Sequence, residues 1–347
     1  MNENQSTVPS EEMPPFPEKP RPTDADVHAS FNPLFKVFER THSGDAVRPL
    51  LAHYTSIQVM ESILKNDEIW FSNPLFMNDL QEMRFGLNAG TNFFADIEKL
   101  KRAGGSDQRA EILQRSYFGY FQYYEEQQAF DTYIFCLSEH QPTDNDGLLS
   151  MWRGYGQHGN GVALVFDSSK VTVVQESPLL FVKVSYVTDV ERAQELTRIL
   201  NEWIELTQKL GLPDDQLHLA SWNAFSLIKS HALITKNSGF AEENEWRVIY
   251  VPERDGNGLL KPYLHYHVGE RGVEPKLKYK IGHLPGVSAD DLALDRILDR
   301  IILGPSHSSP LAKKSVERLL DTLGKPNLKP LLRASGIPLR PTSGSSF

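Results

Sequence analysis

The sequence predicts an α+β fold: an antiparallel-rich central sheet with helices packed on it. Two observations point there. Compact apolar runs rich in β-formers recur at 132–138, 161–167, 179–187, 245–251 and 299–304, each bounded by polar or glycine-containing turns. Between them, apolar residues return at helical spacing over 57–64, 92–130, 190–236 and 310–323. With 347 residues, 40% hydrophobic and 23% charged, the chain is large enough to bury a sizeable core.

Residues 1–30 are polar, acidic and proline-rich, bury too little apolar surface to offset the entropy of ordering, and are expected to be a mobile arm. A single α+β domain is expected over 31–326 and a mobile tail over 327–347. The block from Leu51 opens with a strand end, continues into a helix carrying Ile57, Met60, Ile63 and Leu64, and turns into a strand over Ile69 to Ser72. Phe94, Ile97 and Leu100 mark a helix, Gly104-Gly105 breaks it, and an aromatic-rich second helix follows, so 92–130 reads as a helical insertion. TYIFCLS at 132–138 is a buried strand leading to a polar loop at Asp144–Gly147. GVALVFD at 161–167 is another strand, with LLFVKVSYV at 179–187 as its expected hairpin neighbour. Two helices separated by Gly211-Leu212-Pro213 fill 190–236. EWRVIYV and DRIILG are strands, and Pro310 suits the first turn of a final helix.

Composition excludes several functions. Lys plus Arg number 36 against 45 Asp plus Glu, a net charge of −9, which argues against a broad basic surface for nucleic-acid backbone. The single cysteine, Cys136, rules out an intramolecular disulfide framework and multi-thiolate zinc, and sits in an apolar strand like a packed small hydrophobe. No run approaches the ~20 apolar residues that span a bilayer, and the polar N-terminus is unlike a secretory signal, so a cytoplasmic protein without membrane contact is expected. P-loop, Rossmann, H-E-x-x-H, EF-hand and G-x-S-x-G patterns are all missing. The scattered carboxylates Asp79, Asp144 and Asp146 are the remaining metal candidates.

Three clusters concentrate polar and aromatic residues at strand ends. In His53-Tyr54-Thr55, either Thr55 or Ser56 can cap the next helix, and His53 points into a cleft or into the core as a structural histidine. Trp152 and Tyr155, three residues apart, share one side of a helical turn and can form an aromatic wall. Gly154, Gly156, Gly159 and Gly161 follow, permitting close backbone approach to a ligand; core aromatics beside a glycine turn are the alternative. In FAEENEWRVIY, strand alternation directs Glu243, Glu245 and Arg247 to one face. Two neighbouring carboxylates need a compensating cation, ligand or hydrogen bond, which Arg247 can provide.

The succession of His53-Tyr54-Thr55, a helix with ESIL, IWFSN, W-x-x-Y-G at 152–156 and E-x-E-W-R at 243–247 resembles a bacterial family of unknown function over about residues 51–305. The first block and the E-x-E pair are also similar to the ADP-ribosyltransferase superfamily, including its DNA-targeting toxin and RNA 2′-phosphotransferase branches. That resemblance implies an ADP-ribosyltransferase-like fold with a split central sheet, NAD as substrate, an unknown protein or nucleic-acid acceptor, and a toxin or phage-defence role. It further implies Glu245 and Glu243 as catalytic residues, Glu245 stabilising an oxocarbenium-like ribose and Glu243 orienting the acceptor. His53 would meet the ribose hydroxyls, Tyr54 or Tyr155 would stack on nicotinamide, Thr55 and Trp152 would line the NAD site, and Arg247 would hold a pyrophosphate oxygen. Many relatives carry Asn-Gly after the first helix where this chain has Asn66-Asp67; Asp tolerates the left-handed turn less easily than Gly but can adopt it, so the fold is expected to survive the change. A nucleotide- or protein-binding module of the same fold and a metal-dependent nuclease are the alternatives.

Overall fold

A computed structural model of the chain describes residues 21–39, 48–77, 80–172, 174–269 and 272–339. Helix α1 (Asp24–Glu39) comes first, followed by β1 (Leu50–Thr55), α2 (Ile57–Asn66) and β2 (Glu68–Ser72). Ser56 caps α2 by accepting from the Val59 N–H at 3.1 Å. Asp67 ends it in the left-handed region (φ 52°, ψ 43°), as the sequence permits, donating its N–H to the Ile63 carbonyl. Three helices follow, α3 (Leu80–Ala95), α4 (Ile97–Gly104) and α5 (Asp107–Tyr123), the first of which begins ahead of the expected 92–130. The Gly104-Gly105 break falls between α4 and α5, with Gly105 at φ 87°.

Next come β3 (Tyr133–His140), α6 (Leu149–Gly154), β4 (Val162–Asp167), β5 (Leu179–Lys183) and β6 (Ser185–Val187). Thr188 and Glu191 form a capping box that starts α7 (Asp189–Leu210). Then follow α8 (Leu217–Ile234), β7 (Thr235–Asn237), β8 (Glu245–Tyr250), β9 (Leu264–Gly269) and β10 (Gly272–Lys280). The chain continues through a one-turn α9 (Leu294–Ile297), β11 (Leu298–Leu303), α10 (Pro310–Thr322) and β12 (Leu332–Ala334). Pro310 opens α10 behind the Ser309 cap, as predicted.

Ten strands form one sheet in the order β12-β11-β4-β1-β3-β2-β10-β9, with β8 joining β3 to β5; all pairings are antiparallel except β11 with β12. Strand β3 organises it. One edge pairs with β8 from Tyr133↔Tyr250 to Ser138↔Glu245. The other edge is divided, with β1 taking Ser138 to His140 and β2 meeting it at Ile134↔Ser72. The sheet therefore bifurcates at β3. In the interval between the two arms, the Cys136 carbonyl accepts from His53 Nδ1 at 3.0 Å.

Alternation along β3 sends Ile134 to one core and Tyr133, Phe135 and Leu137 to another. The first core lies under the helices, where Phe94 stacks on Tyr117 at 3.8 Å between ring centroids beside Trp203 and Phe225. The second holds Leu51, Met60, Phe71, Leu164 and Ile301 with α2 and α10. A third, smaller cluster joins Tyr54, Trp152, Ala163 and Ile302.

Three expectations need correction. β5 is no hairpin partner of β4: it pairs with β8, while β4 lies between β1 and β11, because burial on both faces demands partners that local alternation cannot specify. Residues 24–30 of the expected arm are helical, since Val27 and Phe31 bury their side chains against α7 and α8; residues 1–20 lie outside the described residues. In the expected tail, β12 pairs with β11 and buries Leu332, and Leu328 and Ser335 are also buried; residues 340–347 lie outside the described residues.

Candidate functional site

A cleft of about 260 Å³ opens at the bifurcation, lined by His53 and Tyr54 of β1, Trp70 and Ser72 of β2, residues 134–138 of β3, Met151, Tyr155, Lys236, Glu243, Glu245 and Lys276. His53, Tyr155 and the two glutamates thus meet in one place from segments nearly two hundred residues apart. The connection from α8 to β8 supplies its charged centre. α8 runs directly into β7, whose register with β6 (Tyr186↔Lys236) fixes Lys236. Asn237 then caps a 3-10 turn over Ser238–Glu243, and Asn244 takes a left-handed conformation (φ 41°, ψ 53°) before β8 begins. Ser138 Oγ donates to the Glu243 carbonyl at 2.6 Å, and Tyr186 Oη accepts from the Glu245 N–H at 2.8 Å, pinning the turn from both sides.

Glu243 therefore precedes the strand, and the two acids do not share a face by alternation. They converge because Lys236, 1% exposed, donates to Glu243 at 2.6 Å and to Glu245 at 3.2 Å. Sequence reasoning missed this lysine. The available signal was electrostatic: two acids at one strand start require cations, and Lys236 stands seven residues before Glu243.

Arg247 Nε and Nη2 donate to the two oxygens of Glu245 at 2.8 and 3.0 Å, and its Nη1 donates to the Leu233 carbonyl. It is 2% exposed and does not line the cleft, so the expected pyrophosphate contact is corrected to an internal ion pair. Burial alone would raise the Glu245 pKa. The charge and hydrogen bonds of Arg247, then Lys236 and the Cys136 thiol, outweigh it and hold the carboxyl at about 2.

Unfolded, this group titrates near 4.5, so its contribution is complete above about pH 4.5 and fades as pH falls toward 2. Urea unfolding across that window should show a loss of ~3 kcal/mol that is absent in Glu245→Gln.

Burial depresses the His53 pKa more than its bond to the Cys136 carbonyl raises it, so the ring is neutral at pH 7. Donation to a carbonyl places the proton on Nδ1 and leaves Nε2 an acceptor, suited to a hydroxyl donor. The His53 ring also rests on Phe135, 4.5 Å between centroids.

Tyr155, 39% exposed, donates its hydroxyl to Glu243 Oε1 at 2.8 Å. Tyr54 is only 6% exposed, and its Oη accepts from the Leu148 N–H at 2.9 Å. Burial pushes its pKa up to about 12. Of the two proposed stacking residues, Tyr155 is the accessible one.

Trp152 and Thr55 do not line the cleft. Trp152 is fully buried, with its indole N–H donating to the Asp146 carbonyl at 2.8 Å and its ring edge-on to Tyr54. Thr55 closes β1 against Val162. Three of the four glycines are accounted for within the protein: a side chain at Gly161 would strike the Thr55 carbonyl, one at Gly156 would strike Trp152 and one at Gly159 would meet Leu339, whereas Gly154 has open space beside it. Asp144 accepts from the N–H groups of Asp146 and Gly147 as a turn, and Asp146 accepts from Gly336, while Asp79 lies outside the described residues. Among the described residues no group of three or more His, Cys, Asp or Glu side chains is placed to hold a metal ion. Also among the described residues, no helix is long and apolar enough to cross a membrane.

Residues 151–248 match a family model. Its description is Protein of unknown function (DUF2971). The DUF2971 segment contains W-x-x-Y-G, Lys236 and E-x-E-W-R, and stops short of His53, Trp70 and Lys276, so two arms of the cleft lie outside it. No curated protein and no solved structure matches the chain.

Proposed function

We propose that this cleft cleaves the nicotinamide–ribose bond of NAD and transfers ADP-ribose to an acceptor. The observation that carries the reading is the convergence of His53, Tyr155, Glu243 and Glu245 on one opening in a bifurcated sheet. A volume of about 260 Å³ is slightly below the ~300–1,000 Å³ of typical small-molecule sites, which suits the nicotinamide riboside half with the adenosine half outside.

Loss of nicotinamide leaves a ribosyl cation that a fixed carboxylate stabilises. Glu245 already accepts from Arg247, Lys236 and Cys136, which fills its lone-pair sites. Glu243 accepts from Tyr155 on one oxygen and Lys236 on the other and retains acceptor capacity. In this reading Glu243 therefore faces the sugar and Glu245 fixes the cations behind it. His53 Nε2 accepts a ribose hydroxyl, and the Tyr155 ring packs on nicotinamide.

The filled coordination of Glu245 favours a second reading, in which the cleft binds a nucleotide without turnover. Nicotinamide release from NAD separates them. The purified protein, supplied with cell extract as a source of acceptor, should release nicotinamide, and Glu243→Gln should lower the rate about 10²–10³-fold with NAD binding retained. NAD binding without release in the wild type supports the second reading, and no binding at all rejects both.

A further inference from the structure

We infer that a second cavity, against the sheet face carrying Leu51, Phe71 and Phe166, binds a small apolar molecule ending in a carboxylate. This space measures about 170 Å³ and its walls are almost wholly hydrocarbon. An engineered apolar cavity of ~150 Å³ holds benzene, so there is room for roughly six to eight carbon atoms. A protein core normally closes such a volume, because unfilled space forfeits dispersion contacts.

The polar groups in the wall identify the other end of the ligand. Ser168 Oγ donates to the Pro49 carbonyl at 2.6 Å, Ser177 Oγ to Val287 at 2.9 Å, Ser288 Oγ to Gly282 at 2.6 Å, Thr172 Oγ1 to Asp291 at 3.3 Å and Tyr279 Oη to Gly282 at 3.4 Å, so the five hydroxyl protons of the wall are committed within the protein. Among the described residues, Arg48 is the only charged one in the lining. Its Nη1 donates to the Val171 carbonyl at 2.6 Å, and among the described residues no acid pairs with it. A half-buried guanidinium at an apolar cavity, with most of its five donors left for a guest, matches a carboxylate joined to a hydrocarbon body. Phe135 is a wall of both cavities, so such a guest would touch the ring on which His53 rests.

Calorimetric titration of the full chain with octanoate and with 1-octanol tests this. Octanoate should bind one per chain and about tenfold or more tighter than octanol. Arg48→Met, at a partly exposed position, should abolish that preference and leave octanol binding unchanged. Val248→Phe should fill the space and weaken both. Should that variant fail to fold, nuclear Overhauser contacts between the octanoate methyl group and phenylalanine rings of the wild type give the location independently. Equal affinity for octanoate and octanol, a preference that survives Arg48→Met, or binding without those ring contacts would overturn the proposal.

Discussion

Alanine in place of Glu245 is expected to lower folding stability by about 3–5 kcal/mol, the penalty for leaving one half of a buried ion pair behind. Arg247 is 2% exposed, and its Nε and Nη2 would lose the carboxylate to which they donate. Lys236 would keep Glu243 but lose its second partner. Removal of Glu245 takes away the carboxylate that Arg247 and Lys236 both contact in the wall of the cleft. Glu245→Met combined with Arg247→Met should recover most of the loss, since an apolar pair of similar volume escapes the desolvation penalty. Equilibrium urea unfolding of the two single variants and the double variant measures the coupling. A Glu245→Ala variant within about 1 kcal/mol of wild type would mean that the pair is solvated. Activity lost in that variant must therefore be read beside its stability, and Glu243→Gln, which spares the Arg247 pair, is the cleaner test of chemistry.

Trp152→Ala should be comparably damaging, about 3–5 kcal/mol, for a different reason. The indole fills the space between Tyr54 and Gly156, and its N–H satisfies the Asp146 carbonyl. Its removal opens a cavity and takes away one of the two donors to that carbonyl, leaving Ser335 Oγ as the other. Trp152→Phe keeps most of the volume and loses the hydrogen bond, so it should fall between alanine and wild type. Because Trp152 does not line the cleft, the phenylalanine variant should retain whatever ligand affinity the wild type shows. Chemical denaturation and a ligand titration on the same preparations check both halves. Weakened binding without destabilisation would return Trp152 to the role of an aromatic wall.

The strands that were legible in the sequence are those whose own composition declares them. TYIFCLS, GVALVFD, EWRVIYV and DRIILG are short apolar runs too rich in β-formers to be read otherwise, and all four are strands. Pairing was not legible: nothing in LLFVKVSYV reveals that its first half pairs with β8, far along the chain, and its second half with β7, rather than with β4 next door. The β9–β10 hairpin escaped notice because β9 is exposed along most of its length, so its sequence lacks an apolar face. Helix α1 was hidden by Pro33 and by the polar, proline-rich stretch before it, although Val27, Phe31, Leu34, Phe35 and Phe38 return at helical spacing.

At the site, residue types were legible but orientation was not. His53, Tyr155 and both glutamates reach the cleft. Trp152 and Arg247, equally prominent in the sequence, turn inward as a packing ring and a counter-ion. Sequence spacing tells which residues share an element, whereas the choice between ligand and neighbour is made by tertiary partners such as Lys236 and Asp146.

The divided edge of β3 also has a mechanical meaning. In an ordinary ladder, spreading two strands apart breaks every rung between them. Here the arm headed by β1 and the arm headed by β2 are each fastened to the same strand at different heights, and among the described residues no ladder ties one arm to the other. The separation of the two attachments along β3 therefore sets the aperture of the opening, with β3 and β8 as its common spine.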